Sequence, residues 1–156
     1  MRIRETNDYV LIAKLNKGVH ELHEKLYPEY FKPYNFEDML EYFKEIVYFP
    51  DFIFLVLEEE EKPIGYAWIE IRNYMENALI KANQAIYVHQ INIEEDHRNN
   101  GYGGHLMDAI IEMAKSKDIH RVELDYWFDN EVAKKFYEKL GFKKYREFVY
   151  KDLPGD

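Results

Sequence analysis

The segment Arg98-Asn99-Asn100-Gly101-Tyr102-Gly103-Gly104 has the composition of an anion cradle. It runs into a stretch in which Leu106, Met107, Ile110, Ile111 and Ala114 form an apolar stripe at helical spacing, with His105, Asp108, Glu112 and Lys115 opposite. The glycines therefore open an amphipathic helix. Glycine lets the backbone turn so that its N–H groups converge, the first N–H groups of a helix lack intrahelical acceptors, and the dipole places about half a positive charge there. Arg98 adds a formal charge, and a junction of this kind binds phosphate. Two common phosphate motifs do not fit. A dinucleotide fingerprint needs glycine where Met107 stands, and a P-loop needs Gly-Lys-Ser/Thr where His105 and Leu106 interrupt.

The chain has little to offer as a nucleophile. Cysteine is absent, and the only hydroxyls of the serine/threonine type are Ser116 and Thr6. Disulfides, thiolate metal sites and triad-type hydrolysis through an acyl-enzyme are thereby excluded. His20 and His23 lie three apart on one predicted helix, but no carboxylate spacing completes a ligand set, so no metal is expected. Thirty acidic residues against 21 Lys plus Arg give a net charge of −9, which opposes binding to nucleic acid or anionic lipid and favours cationic small molecules. The longest apolar run, residues 52–57, is far too short to span a bilayer, and with the absent cysteines it points to a cytoplasmic protein.

The elements that must position the cradle follow from hydrophobic period and punctuation. A strand at Arg2–Glu5 precedes a helix capped by Asp8, whose apolar residues Val10, Leu11, Leu15, Val19, Leu22 and Leu26 continue to Pro28. A second helix covers about 36–48. Residues 52–57 and 64–71 form a hairpin across the Lys62-Pro63 turn, and a strand at about 85–93 feeds the glycine loop. The helix from Gly103 to about Lys117, a strand at 121–126, a helix from about Asn130 to Leu140 closed by Gly141, and a strand near 144–151 complete the chain. The strand–helix–strand order over 85–126 makes those two strands parallel inside an otherwise antiparallel sheet. The expected class is α/β (α+β), and no linker or repeat divides the 156 residues, so one domain is expected.

The pattern Arg-x-x-Gly-x-Gly at 98–103 resembles the pyrophosphate loop of the GNAT superfamily of N-acetyltransferases. The segment from Asn130 through Ala133, Phe136 and Tyr137 to Gly141-Phe142 is similar to that family's second signature, in the same order and after a strand. Asn99-Asn100 departs from the small or basic residues of many relatives. The resemblance implies a twisted mixed sheet of about six to seven strands with about four helices, acetyl-CoA as co-substrate, an amine-bearing small-molecule acceptor, and dimerisation through the terminal strands as a common arrangement.

The resemblance also implies site residues. The main chain of Ile91 and Ile93 pairs with pantetheine as an added strand, with the Ile91 N–H near the thioester carbonyl. Arg98, Asn99, Asn100, Gly101, Tyr102, Gly103 and Gly104 hold the diphosphate, Asn130 contacts the pantetheine arm, and the Tyr137 hydroxyl protonates the departing thiolate. On the residues alone, Asn130 reads as a helix cap and Tyr137 as helix packing. An acceptor amine has a pKa near 10 and must lose a proton before attack. Tyr87, His89, Ile91 and Ile93 alternate onto one side of the predicted strand, which makes His89 the first candidate base, directly or through water, with Glu70 and Asp125 as alternatives. The alternative for His89 is a hydrogen-bonded structural histidine. The expected activity is direct acetyl transfer to a primary amine in a ternary complex; acylation of a protein N-terminus or lysine, or acyl-CoA binding without catalysis, are the competing readings.

Overall fold

Strands form where β-branched and aromatic residues cluster: Arg2–Glu5 (β1), Phe52–Glu59 (β2), Lys62–Tyr74 (β3), Asn83–Ile93 (β4) and Val122–Leu124 (β5) in a computed structural model that describes residues 1–155. They make one sheet in the order β1-β2-β3-β4-β5, antiparallel except for the β4–β5 pair. Helices α1 (Tyr9–Leu15), α2 (Lys17–Leu26), α3 (Phe36–Ile46) and α4 (Tyr102–Ser116) belong with the sheet to a compact unit, Met1–Asp125. A second unit begins at Tyr126 and contains α5 (Glu131–Lys139). The mixed α/β class holds, with five strands and five α-helices among the described residues rather than six to seven and four.

One face of the sheet presents Phe54, Val56, Tyr66 and Trp68, which bury against Ile12, Ala13 and Leu15 of α1 and Phe43 and Ile46 of α3. Phe43 stands edge-on to Phe54 and Trp68, and Phe54 stacks on Trp68 at 5.6 Å, an arrangement that the ring quadrupoles favour. Residues of opposite parity, among them Leu55, Leu57, Ala67 and Ile69, point to the other face. There α4 lies against β4, β3 and β2 with Leu106, Met107 and Ile110 buried.

The predicted first helix is two helices, parted at Asn16. The backbone bonds run on through the junction, Asn16 N to Ile12 O and His20 N to Asn16 O, but the Asn16 side chain turns inward and is 1% exposed. The unbroken apolar period on either side concealed this, because a polar residue at that position reads as an ordinary interruption of the stripe.

The larger departure is in β4. Its register against β3 passes from Ala67↔Ile91 and Trp68↔Gln90 to Ile69↔Val88, which leaves His89 as an extra residue: a β-bulge. The bulge breaks the expected alternation. Tyr87, His89 and Gln90 lie on the Trp68 face, whereas Ile91 pairs with Ala67, so Ile91 and Ile93 project their side chains to the α4 side. A run of nine residues without glycine or proline gives no sequence sign of such an insertion.

The expected strand near 144–151 does not form; residues 142–155 carry no strand. Phe148, Val149 and Tyr150 are consecutive rather than alternating and are largely exposed, so the pleated, half-buried surface that rewards such residues is missing. β5 likewise stops at Leu124, short of the expected Tyr126.

Candidate active site

The bulge gives β4 two different edges. Before it, Ile86 N donates to Arg121 O at 2.9 Å, so alternate N–H groups serve β5; after it, Glu94 N donates to Ile64 O at 2.8 Å, so the N–H groups of 92 and 94 serve β3. Strand alternation then sends the N–H groups of Ile91 and Ile93 to the side where β5, which ends opposite Val88, offers no ladder. Two donors on one open edge, about 7 Å apart, can receive an extended ligand as an added strand.

The glycine loop follows directly. Gly101 caps α4 with φ +81°, a left-handed conformation, and a Cβ there would meet nothing within 4 Å. The first helical bond is His105 N to Gly101 O, so the N–H groups of Tyr102, Gly103 and Gly104 have no helical acceptor and no side chain caps them. Asn99 is also left-handed, at φ +63°, and the Asn100 amide bonds back to His97 O. The loop is anchored on both sides. Arg98 Nε donates to Ile93 O at 2.9 Å and its Nη2 approaches Asn92 Oδ1, while the Tyr102 hydroxyl donates to Glu59. Arg98 thus joins the loop to the end of β4.

On the Trp68 face, the extra residue of the bulge meets a carboxylate. His89 Nε2 lies 2.6 Å from Glu70 Oε2, and Arg72 Nε donates to the same oxygen at 3.0 Å. Burial opposes ionisation of Glu70, but the hydrogen bonds from His89 and Arg72 and the Arg72 charge outweigh it and hold the carboxyl below its ordinary range. Burial pushes the His89 imidazole below its ordinary range, with Glu70 pulling the other way. A neutral imidazole beside an ionised carboxylate must carry its proton on Nε2, which leaves the Nδ1 lone pair as a proton acceptor. The ring stacks on Trp68 at 4.4 Å and meets Tyr87 edge-on at 4.8 Å. Arg72 lies 3.6 Å over the Tyr87 ring, and the Tyr87 hydroxyl donates to Asp125 at 2.6 Å; burial, then that carboxylate, drives the Tyr87 phenol strongly upward. Of the three candidate bases, Glu70 is engaged twice, exposed Asp125 is engaged by Tyr87, and His89 keeps a free nitrogen.

In the second unit, Asn130 caps α5, its Oδ1 accepting from Ala133 N at 3.1 Å. The helix ends in paired reverse bonds, Gly141 N to Glu138 O and Phe142 N to Tyr137 O, a Schellman closure sealed by the Tyr137–Phe142 ring contact at 5.6 Å. Tyr137 is buried against Tyr126, Phe136 and Phe142, so the packing reading of this residue is met whatever its hydroxyl does.

The histidines of α2 are occupied otherwise. His20 Nε2 lies 2.6 Å from Lys32 O, and His23 stacks on Phe31 at 5.0 Å, its pKa lowered by burial and by His20. His20, Tyr30, Phe31, Asp38 and Met39 are among the residues around a cavity of about 280 Å³. No group of three His, Cys, Asp or Glu able to hold a metal occurs among the described residues, and no described helix is long and apolar enough to cross a membrane.

Comparison with known proteins fits these features. The model of the acetyltransferase (GNAT) family matches residues 18–142. The chain belongs to that family. It is 32% identical over 103 residues to the uncharacterized N-acetyltransferase MJ1207 of Methanocaldococcus jannaschii, a match covering 66% of this chain and 44% of that protein. It is 30% identical over 69 residues to N-alpha-acetyltransferase 30 of Schizosaccharomyces pombe, covering 44% and 46%. The chain thus spans about half the length of the curated relatives it matches. Among solved structures, the tetramutant of the BH1408 protein from Bacillus halodurans superposes with a TM-score of 0.90 at 29% identity, covering 98% of this chain and all of that one.

Two residues of the site were not expected from sequence. Gln90, beside the bulge, and Asn16, at the helix junction, are joined by a hydrogen bond of 2.8 Å. A buried asparagine inside a helical stripe was the one available signal.

Proposed function

We propose that the chain is an acetyl-CoA-dependent N-acetyltransferase, one domain over its 156 residues, that moves the acetyl group directly to a primary amine in a ternary complex. The observation that carries this reading is the bulge at His89, because one inserted residue both frees the Ile91 and Ile93 amides and presses an imidazole against Glu70. A solved predicted acetyltransferase from Clostridium acetobutylicum, of the same fold at a TM-score of 0.70 and 20% identity, is described as containing acetyl-CoA.

In this reading the amides of the 98–104 loop and Arg98 hold the diphosphate, with the backbones of Ile91 and Ile93 aligning the pantetheine arm. His89 Nδ1 takes the ammonium proton, and Glu70 stabilises the imidazolium that results. The amine nitrogen bonds to the acyl carbon while the Ile91 N–H stabilises the oxyanion. The carbon–sulfur bond then breaks. By the family signature, Tyr137 protonates the departing thiolate and recovers a proton from the nitrogen, and Asn130 supports the arm. With cysteine absent, no protein thiol is available for a covalent relay.

The test is thiol release from acetyl-CoA with a panel of amines. Tyr137→Phe should lower kcat by about 10²-fold or more, the usual worth of a positioned acid, with little change in thermal stability. Unchanged turnover in this variant contradicts the role given to the hydroxyl.

A further inference from the structure

Asn16, Tyr66 and Gln90 form a closed polar network on the Trp68 face of the sheet. Asn16 Nδ2 donates to Gln90 Oε1 at 2.8 Å and to the Tyr66 hydroxyl at 3.0 Å, and that hydroxyl donates to Gln90 Oε1. Asn16 and Tyr66 are 1% and 0% exposed. The direction of the network is set by its orphan. Asn16 Oδ1 is buried without a partner, and turning the amide over would instead strand two N–H donors, the costlier outcome. Asn16 is therefore a donor, Gln90 Oε1 receives two hydrogen bonds, and the Gln90 amide is locked with its Nε2 pointing away from the network.

That Nε2 has no acceptor among the described residues, yet it is not among the buried unpaired atoms, so it reaches solvent. It stands on the Trp68 face, one residue beyond His89 and one before Ile91. A two-proton donor held rigidly beside a base and an oxyanion donor is a recognition element for an oxygen. We infer that Gln90 determines acceptor specificity: the acceptor is an amine with a hydroxyl or carbonyl oxygen close to the nitrogen, and that oxygen accepts a hydrogen bond from Gln90 Nε2. Asn16 and Tyr66 are positioning residues that keep the donor turned outward. The inference rests on the acetyltransferase reading and on His89 marking the acceptor side.

The experiment compares kcat/KM of acetyl transfer to propylamine, ethanolamine and glycinamide, in the wild-type chain and in Gln90→Glu. The glutamate keeps both incoming hydrogen bonds and the volume of the side chain but has no N–H to offer. The wild type should prefer at least one oxygen-bearing amine over propylamine by tenfold or more, and Gln90→Glu should bring that ratio close to one through acceptor KM, with the KM for acetyl-CoA unmoved. Preference for ethanolamine identifies amino alcohols, and preference for glycinamide identifies amines beside a carbonyl. Equal use of all three amines by the wild type, use of none of them, or a preference that survives in Gln90→Glu overturns the inference. Calorimetric binding of CoA to the wild type separates the two levels: uptake of CoA with no such preference removes this inference alone, whereas no uptake removes the acetyltransferase reading with it.

Discussion

As the proposed base, His89 must be neutral to act, and burial lowers its pKa, so activity should rise with pH along a limb centred below the ordinary histidine value of about 6.5. Glu70 opposes that shift. Replacing it in Glu70→Gln removes an anion that favours the imidazolium, so the limb should move to still lower pH while the plateau falls by about 10-fold or more, because a weaker base now works without a fixed tautomer. A pH–rate profile of the two proteins checks both movements, and a limb that moves upward would remove Glu70 from the pair. His89→Gln should abolish the limb. At this scale the legible part of the site is residue type: the sequence shows an imidazole near an apolar strand's end and two carboxylates able to serve as alternatives to it. Which nitrogen is free, and which carboxylate is already engaged, depended on cross-strand neighbours 19 and 38 positions away.

The β3–β4 hairpin is the element on which the site depends, and at Gly65 it leaves no room for a side chain. A Cβ there would come within 2.6 Å of Ile93 Cδ1 and 2.7 Å of Asn92 O, so Gly65→Ala must push β4 away from β3 just before the loop. Because the carbonyl is backbone and cannot swing aside, the substitution should cost about 1–3 kcal/mol in denaturant unfolding, the usual range for overpacking, and weaken CoA binding more than acceptor binding. At Gly101 no atom obstructs a side chain, but φ is +81°, so Gly101→Ala should cost about 1 kcal/mol by conformation alone. Both glycines' helix and strand contexts were visible in the sequence, as were the helix ends at Asn130 and Gly141, because caps and closures are written in local residue choice. The bulge and the turn of Asn16 were not. Each is decided by a partner in another element: the register against Trp68 in one case, and Tyr66 and Gln90 in the other.

For the molecule as a whole, a net charge of −9 should draw ammonium-bearing acceptors and repel a polyanionic co-substrate, whose binding would, on the proposed function, rely on the loop amides and Arg98. Raising ionic strength should therefore increase the KM for a dicationic amine and leave that for acetyl-CoA flat or lower. The mixed sheet and its parallel β4–β5 pair were legible from element order, since a strand–helix–strand crossover leaves few topologies. The C-terminal residues were not, because an apolar tract there specifies a strand only when a neighbour supplies the ladder.

The proposed function stands on direct transfer from acetyl-CoA to an amine, without an acyl-enzyme. Initial rates of thiol release over a grid of acetyl-CoA and amine concentrations test it most directly. Direct transfer should give amine-dependent release with double-reciprocal lines that intersect, as a ternary complex requires; parallel lines, or release indifferent to the amine, would contradict it.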